Sequence, residues 1–525
     1  MVLAGLAAVV LGAAAVWFGS LNQDEGWYLY AAQLVRAGKM PYHDFFFTQG
    51  PTLPMVYSLL APLWTGGGPL HGVLGGRVVT LVFGLAGVLV FMRTSQLLVP
   101  RERRFAVGLT TFALLACNVY HLYFLAIPKT YALGSFFVAV GLYFLADGLR
   151  RDGARRALRL AASGVALAFA SGTRISLVLM LGVIGFSLLF AFRRYRRSFF
   201  WFGLGGAAGL FFTYGLFTLD PASLQGLLAA QKYHAARGGF DLMFAVGSVS
   251  RLSRAYVALL ALLGVVAARF VSRLAAAPRA EAAPRGGVAL ADHASFLMWT
   301  IVASFAAVFM LQLSAPFPYD DYQVPIMGML AMVASVLLTA TLRPADEAAD
   351  FRQTAAVFLL ACVASFGSPQ LQQWFVAGQD RFWSLMKERS DLAGLRAAAR
   401  EVEAVDPGGT TLLTQDLYLA VECGRSVPEG LEMGPFSYFP DCFDAEAEAL
   451  HVMNTERMRS LLESAPCPVA AFSGYGFAIA APSCAEVPYE RQMEFWGLLH
   501  RKYMRAATIQ SFGQNNTPLL VLRRK

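Results

Sequence analysis

The sequence predicts a mainly α, polytopic membrane protein with a small C-terminal α/β domain outside the cytoplasm. Three observations carry that expectation. The 525 residues are 57% hydrophobic and only 15% charged, with a mean hydropathy of +0.51, outside the range of soluble domains. Apolar runs long enough to cross about 30 Å of hydrocarbon recur from Val2 to about Leu371 and then stop. Arginines gather in short clusters between the runs, as at Arg101, Arg103 and Arg104, at Arg150, Arg151, Arg155 and Arg156, at Arg193, Arg194, Arg196 and Arg197, and at Arg269, Arg273, Arg279 and Arg285. That is the pattern of cytoplasmic loops. It accounts for the net charge of +9 without a nucleic-acid partner.

With every cluster inside, about eleven crossings result, near residues 2–20, 70–92, 105–125, 131–149, 158–172, 175–192, 199–219, 255–272, 294–314, 323–341 and 354–371. An odd number puts the N-terminus in the cytoplasm, and puts the 21–68 segment and everything after Gln372 outside. Residues 1–20 hold no Lys or Arg, whereas a cleaved signal peptide has a charged beginning, so the first segment is read as a retained helix. The expected location is the plasma membrane, and for a bacterium the inner membrane.

Three outward segments exceed plain turns. The 21–68 segment contains "PTLPMVYSLLAPLW", too short to cross and suited to a helix on the membrane surface. Asp220 to Arg254 is polar and interrupted by glycine, and "APFPYDDYQVP" is brief. The inside loop from Ser272 to Asp292 is rich in Ala, Pro, Arg and Gly, a disordered connector by composition. The expected division is a membrane domain over 1–389 and a soluble α/β domain over 390–525. In the latter "DLAGLRAAAREVEAV" has helical spacing, "TTLLT", "PVAAFSG" and "PLLVLRR" read as strands, and "DLYLAVECG" as a short helix ended by Gly424.

Cys117 and Cys362 fall in apolar spans, while Cys423, Cys442, Cys467 and Cys484 fall in the soluble region, an even number suited to an oxidising compartment. Three connectivities are possible, and spacing favours Cys423 with Cys442 and Cys467 with Cys484. A zinc site would call for CxxC spacing or paired histidines, which are missing.

Charge near a membrane core is costly, so acids at outer span ends are informative. Asp24 and Glu25 follow the first apolar run directly, and Tyr28, Tyr30, Arg36, Lys39, Tyr42, His43, Asp44 and Gln49 crowd the same loop. The run D-E-x-x-Y-L-x-x-A-x-x-V-x-x-G-x-x-P-Y-x-D-F, continuing into "QGPTLP", resembles the first outer loop of GT-C membrane glycosyltransferases, in the branch of the protein O-mannosyltransferases and the aminoarabinose transferases. The match is confined mostly to residues 24–54, although the multi-span architecture covers the chain.

The resemblance implies transfer of a sugar from a polyprenyl-phosphate carrier to a lipid, glycan or protein acceptor outside the membrane. It makes Asp24 the general base and Glu25 a supporting carboxylate. Cations facing the departing phosphate would be Arg174 in "SGTRIS", Arg77 and Lys129. Tyr28, Asp44, Tyr319 and Tyr322 would contact substrate, the tyrosines of the late span lining the carrier's path. Lys129 stands where several relatives carry an acid, so no metal or other cofactor is expected, although Asp320 and Asp321 could supply two oxygens to a divalent ion. Gly50-Pro51 replaces a more usual Pro-Pro pair, which softens the start of the surface helix. Lys232 and His234 are either acceptor contacts or solvated loop. A single base without a covalent nucleophile implies inversion. The rival classes are a multi-pass transporter, which would carry acids or Gly/Pro breaks deep inside spans, and an inactive GT-C-like assembly protein.

Overall fold

The structure, a computed structural model, describes residues 2–191, 195–235, 239–276, 292–340, 347–377, 386–475, 477 and 487–525. Most of the connector expected over 272–292 lies outside these residues. The chain is a mainly α, multi-pass membrane protein with one small four-stranded sheet near its C-terminus.

Four described helices, Val73–Leu97, Thr130–Leu149, His293–Leu313 and Asp320–Ala340, are each long and apolar enough to cross a membrane. Four further candidates are bent pairs, so the number reaches eight if each pair counts as one span. The runs expected near 2–20, 105–125, 255–272 and 354–371 each supply an arm of a pair, with bends of 90°, 70°, 84° and 51°. The breaks have local causes. Asn22 and Asn118 turn their side chains onto the backbone of the following helix, accepting from the Asp24 and His121 N–H groups. At the fourth bend Pro369 opens the second arm.

Glycine lets two helices meet backbone to backbone. A Cβ on Gly164 would lie 2.2 Å from the Phe202 carbonyl oxygen, and one on Gly205 would lie 2.0 Å from that of Ala161. Helices Gly153–Thr173 and Arg196–Thr213 therefore pack through small residues, the device that replaces hydrophobic driving force within lipid.

Strands β1 (Leu413–Thr414), β2 (Val469–Phe472), β3 (Tyr503–Phe512) and β4 (Thr517–Arg524) form a sheet in the order β1-β2-β4-β3. β1 runs parallel to β2, whereas β4 is antiparallel to both β2 and β3. The strands expected at "TTLLT", "PVAAFSG" and "PLLVLRR" are β1, β2 and β4, and helix Leu417–Cys423 ends at Gly424 with φ 64°, the left-handed cap that glycine tolerates. β3 is an element the sequence did not announce. Only its two end residues are buried, so it lacks the alternation that marks a half-buried strand.

Two hydrophobic cores result. One lies among the membrane helices. The other is shared: it joins first-loop residues such as Trp27, Phe47 and Tyr57 to Leu413, Leu419 and Val521 of the C-terminal part. The approach is close, since a Cβ on Gly26 would lie 2.2 Å from the Tyr418 amide nitrogen. Polar ties fix the same face. The Leu21 N–H donates to Asp391 (3.2 Å), the Val73 N–H to Glu422 (2.9 Å) and the Val427 N–H to the Tyr30 hydroxyl (3.0 Å). The segment read as a surface helix forms two short helices, Thr52–Leu60 and Pro62–Thr65, whose Tyr57 and Trp64 are fully buried.

Candidate active site

The adjacent acids part company within one helical turn. Asn22 caps the Gln23–Arg36 helix, and the Glu25 carboxylate accepts in return from the Asn22 N–H at 2.9 Å, a reciprocal capping box. Glu25 therefore turns inward. There it meets Arg77 with Nε–Oε2 at 2.6 Å and Nη2–Oε1 at 2.7 Å, both side chains fully buried. The other Arg77 donors go to the Val16, Gly19 and Ser20 carbonyls. All five guanidinium N–H groups are then used.

This arrangement corrects two expectations. Arg77 has no donor left for a phosphate and lines no part of the cavity described below, and Glu25 is not beside the reacting space. The pair instead ties the first bend to the Val73–Leu97 helix.

Asp24 turns the opposite way. Its Oδ1 accepts from the Trp27 indole at 3.2 Å and its Oδ2 meets the Lys129 ammonium at 2.9 Å. Lys129 is the residue before the Thr130–Leu149 helix, held extended just after Pro128. It also reaches Asp321 at 3.2 Å, and Asp321 accepts from the Tyr131 hydroxyl at 2.8 Å. A carboxylate–ammonium–carboxylate chain thus joins three segments far apart in sequence.

Arg174 sits in an extended break between helix Gly153–Thr173 and the short 3₁₀ turn that follows. Its guanidinium carbon lies 4.0 Å from the Tyr322 ring centroid and 5.5 Å from that of Tyr131. Stacking of this kind holds a guanidinium in place while leaving its edge donors available.

These side chains face one cavity of about 650 Å³. Asp24, Tyr28, Lys129, Arg174, Tyr319, Asp321 and Tyr322 all line it. Asp44 does not. It accepts from the Met40 N–H at 2.7 Å and pairs with His43 at 2.8 Å, closing its own turn. Hydrogen bonding to Asp44 raises the His43 imidazole above its ordinary value. Lys232 is exposed and off the cavity wall, and the side chain of His234 lies outside the described residues.

The Asp320–Asp321 pair does not converge on one point. Asp320 accepts from the Tyr120 hydroxyl at 2.8 Å and pairs with Arg251 at 3.0 Å, whereas Asp321 faces Lys129. Among the described residues no group of three or more His, Cys, Asp or Glu is placed to hold a metal ion.

The cysteine expectation also needs correction. Cys423 and Cys442 carry free thiols, as does Cys467, and Cys484 lies outside the described residues. Cys423 ends the helix docked on the first loop, while Cys442 sits where its carbonyl accepts from Asn454, so each is fixed by a different contact. Burial pushes the Cys423 thiol up to about 12 and the Cys442 thiol to about 11.

Several cavity residues had no sequence signal. Gln514 occupies the β3–β4 hairpin, where its side-chain oxygen accepts from the Gln23 N–H at 2.8 Å. Phe436 comes from the same C-terminal part and lies edge-on to Trp27, 6.0 Å between centroids. Gln312 and Ser176 join across two helices at 2.9 Å. Only Tyr131, two residues beyond Lys129 in "PKTYAL", was within reach of the local pattern.

No protein-family model matches the sequence, and no curated protein matches it. In three dimensions the chain is similar to ArnT from Cupriavidus metallidurans in its apo crystal structure, with a TM-score of 0.62 at 12% identity, over 99% of this chain and 97% of that one. It is similar also to ArnT bound to undecaprenyl phosphate, with a TM-score of 0.61 at 13% identity and the same coverage. The chain has the GT-C fold. Within that GT-C fold, the charged cavity lies where the loop after the first helix, the starts of two later helices and the C-terminal hairpin meet.

Proposed function

We propose that this chain is an integral-membrane glycosyltransferase that moves a sugar from a polyprenyl-phosphate donor to an acceptor hydroxyl on the outer face of the membrane. The observation that carries this reading is the presence of Asp24 and Arg174 on the wall of one cavity. The carboxylate has its second oxygen bound only by an indole N–H, and the guanidinium has aromatic rings but no carboxylate partner among the described residues. The bound undecaprenyl phosphate of ArnT is consistent with a lipid-phosphate donor.

In this reading the donor phosphate sits against Arg174, and the lipid chain leaves along the apolar wall of Ile175, Val178, Leu179 and Leu311. The acceptor oxygen attacks the anomeric carbon. Its proton passes to the Asp24 carboxylate, and the bond from that carbon to the phosphate oxygen breaks, its electron pair leaving with the lipid phosphate. One displacement inverts the anomeric centre. The acceptor is a hydroxyl of a lipid, a glycan or a protein. The 390–525 region is proposed as the domain that shapes acceptor choice, through Phe436 and Gln514 on the cavity wall. The proposed setting is the bacterial inner membrane, N-terminus inside.

The test is transfer from radiolabelled polyprenyl-phosphate sugars to a membrane extract, by wild type and Asp24→Asn in lipid nanodiscs. Transfer by wild type and its loss in a folded variant are expected. Undiminished transfer by Asp24→Asn would remove Asp24 as the base, and no transfer from any donor would count against the reaction class.

A further inference from the structure

Helices Thr130–Leu149 and Gly153–Thr173 leave a groove between them, apart from the charged cavity. They are fastened at depth, where the buried Ser163 hydroxyl donates to the Gly141 carbonyl at 2.8 Å. Toward the surface, Phe137, Val140 and Phe144 share one face of the first helix, and Leu158, Ala162 and Phe169 share one face of the second. Alanine is too short to fill the space between such walls, so about 440 Å³ stays open, and all nine residues that line it are apolar. Leu158 and Phe169 are eleven residues apart on one helix, which makes the groove about 16 Å long. That is half of the ~30 Å hydrocarbon core, the depth that the acyl chains of one leaflet fill.

One end of the groove is charged. At the end nearer the cavity the Phe137 and Phe169 rings meet, 5.6 Å between centroids, whereas at the other the Arg159 guanidinium carbon stands 5.2 Å from the centroid of Phe144. Asp147 meets both Arg159 (3.2 Å) and Arg151 (3.1 Å), and these two arginine side chains are 42% and 49% exposed. The stretch from Asp147 to Arg159 holds five arginines against two aspartates, so cations are in surplus at this end. Arg155, exposed one turn before Arg159, is among them.

We propose that the groove holds one acyl chain of an anionic phospholipid, whose phosphate is taken by Arg155 and Arg159. The proposal is independent of the transferase reading. An uncharged chain would fill the groove and leave the surplus cations without a counter-charge. A free phosphate would meet the cations and leave the groove empty. An anionic lipid does both, and a zwitterionic one brings a cation of its own to the arginines. Because the same two helices carry Lys129 and Arg174 to the cavity, the seated lipid braces the pair that positions both cavity cations.

The experiment is native mass spectrometry of the full chain with dioleoyl phosphatidylglycerol or dioleoyl phosphatidylcholine, which differ only in the headgroup. Wild type should retain one phosphatidylglycerol about tenfold or more better than the zwitterionic lipid, as two juxtamembrane arginines allow. Arg155→Gln with Arg159→Gln leaves Arg151 on Asp147 and should abolish that preference. Ala162→Phe fills the groove and should reduce retention of both lipids. An unfolding midpoint equal to that of wild type in lipid-free detergent is the check of fold for each variant. Equal retention of the two lipids by wild type would overturn the proposal whether or not either variant folds. Undiminished retention by folded Ala162→Phe, or an unchanged preference in the folded double variant, would overturn it as well. So would displacement of the lipid by glycerol 1-phosphate, which would mark a site for free phosphate, or a dimer that Ala162→Phe dissociates, which would put a second chain in the groove.

Discussion

Arg77 and Glu25 form a fully buried, two-hydrogen-bond ion pair, with every remaining guanidinium N–H given to a carbonyl at the first helix bend. Removing one partner leaves an uncompensated buried charge, which costs about 3–5 kcal/mol. Glu25→Gln and Arg77→Met are therefore expected to lower the thermal unfolding midpoint sharply and to reduce the yield of folded protein. The double variant Glu25→Met with Arg77→Met should be less damaging than either single one. A midpoint unchanged in the single variants would show that the pair does not hold the bend.

Arg174 is expected to govern affinity for the carrier. Arg174→Ala should weaken undecaprenyl-phosphate binding at least tenfold in a displacement assay, and Arg174→Lys should recover only part of the loss. A lysine restores charge but not the planar stack on Tyr322 and Tyr131. Full recovery by lysine would mean that stacking contributes nothing.

Lys129 holds two acids together. Lys129→Met should leave Asp24 and Asp321 facing each other without their shared cation, cutting the rate of sugar transfer by about 100-fold or more. Adding Asp321→Asn to that variant removes one of the two like charges and should restore part of the rate. A rate unaffected by Lys129→Met would separate Asp24 chemistry from its ion pair.

The C-terminal part carries a pH dependence of its own. Burial raises the Asp416 carboxyl to about 6, against hydrogen bonds from Tyr418 and Ser473 that pull it down. Between the ordinary value of 3.8 and about 6 the folded chain holds a proton that the unfolded chain has lost. Stability therefore falls as pH rises through that window and is level above it, by about 3 kcal/mol in all. Hydrogen exchange of β2 measured from pH 4 to 7 and corrected for the intrinsic rate should show this slope, and Asp416→Asn should flatten it. A flat wild-type profile would contradict the assignment.

The free thiols make a chemical prediction. Alkylation of the denatured, unreduced protein followed by peptide mass analysis should find Cys423 and Cys442 fully modified. Recovery of a linked Cys423–Cys442 peptide would show that these two thiols are joined after all.

Much of this protein was decided by neighbours along the chain. Hydropathy determined the membrane class because burial of apolar residues depends on local composition. The cap at Gly424 and the short helix before it were legible for the same kind of reason. So was Asp24 as a candidate, since the motif carrying it spans consecutive residues. What the sequence could not decide was which way each charge faces. Asp24 and Glu25 are adjacent, yet helix geometry and the capping box send one to the cavity and the other to Arg77. Lys129 meets Asp321, and Gln514 meets Gln23, only because packed helices and a shared core bring distant segments together. Side-chain partners over such separations depend on how helices cross and where they break, and no local pattern encodes that.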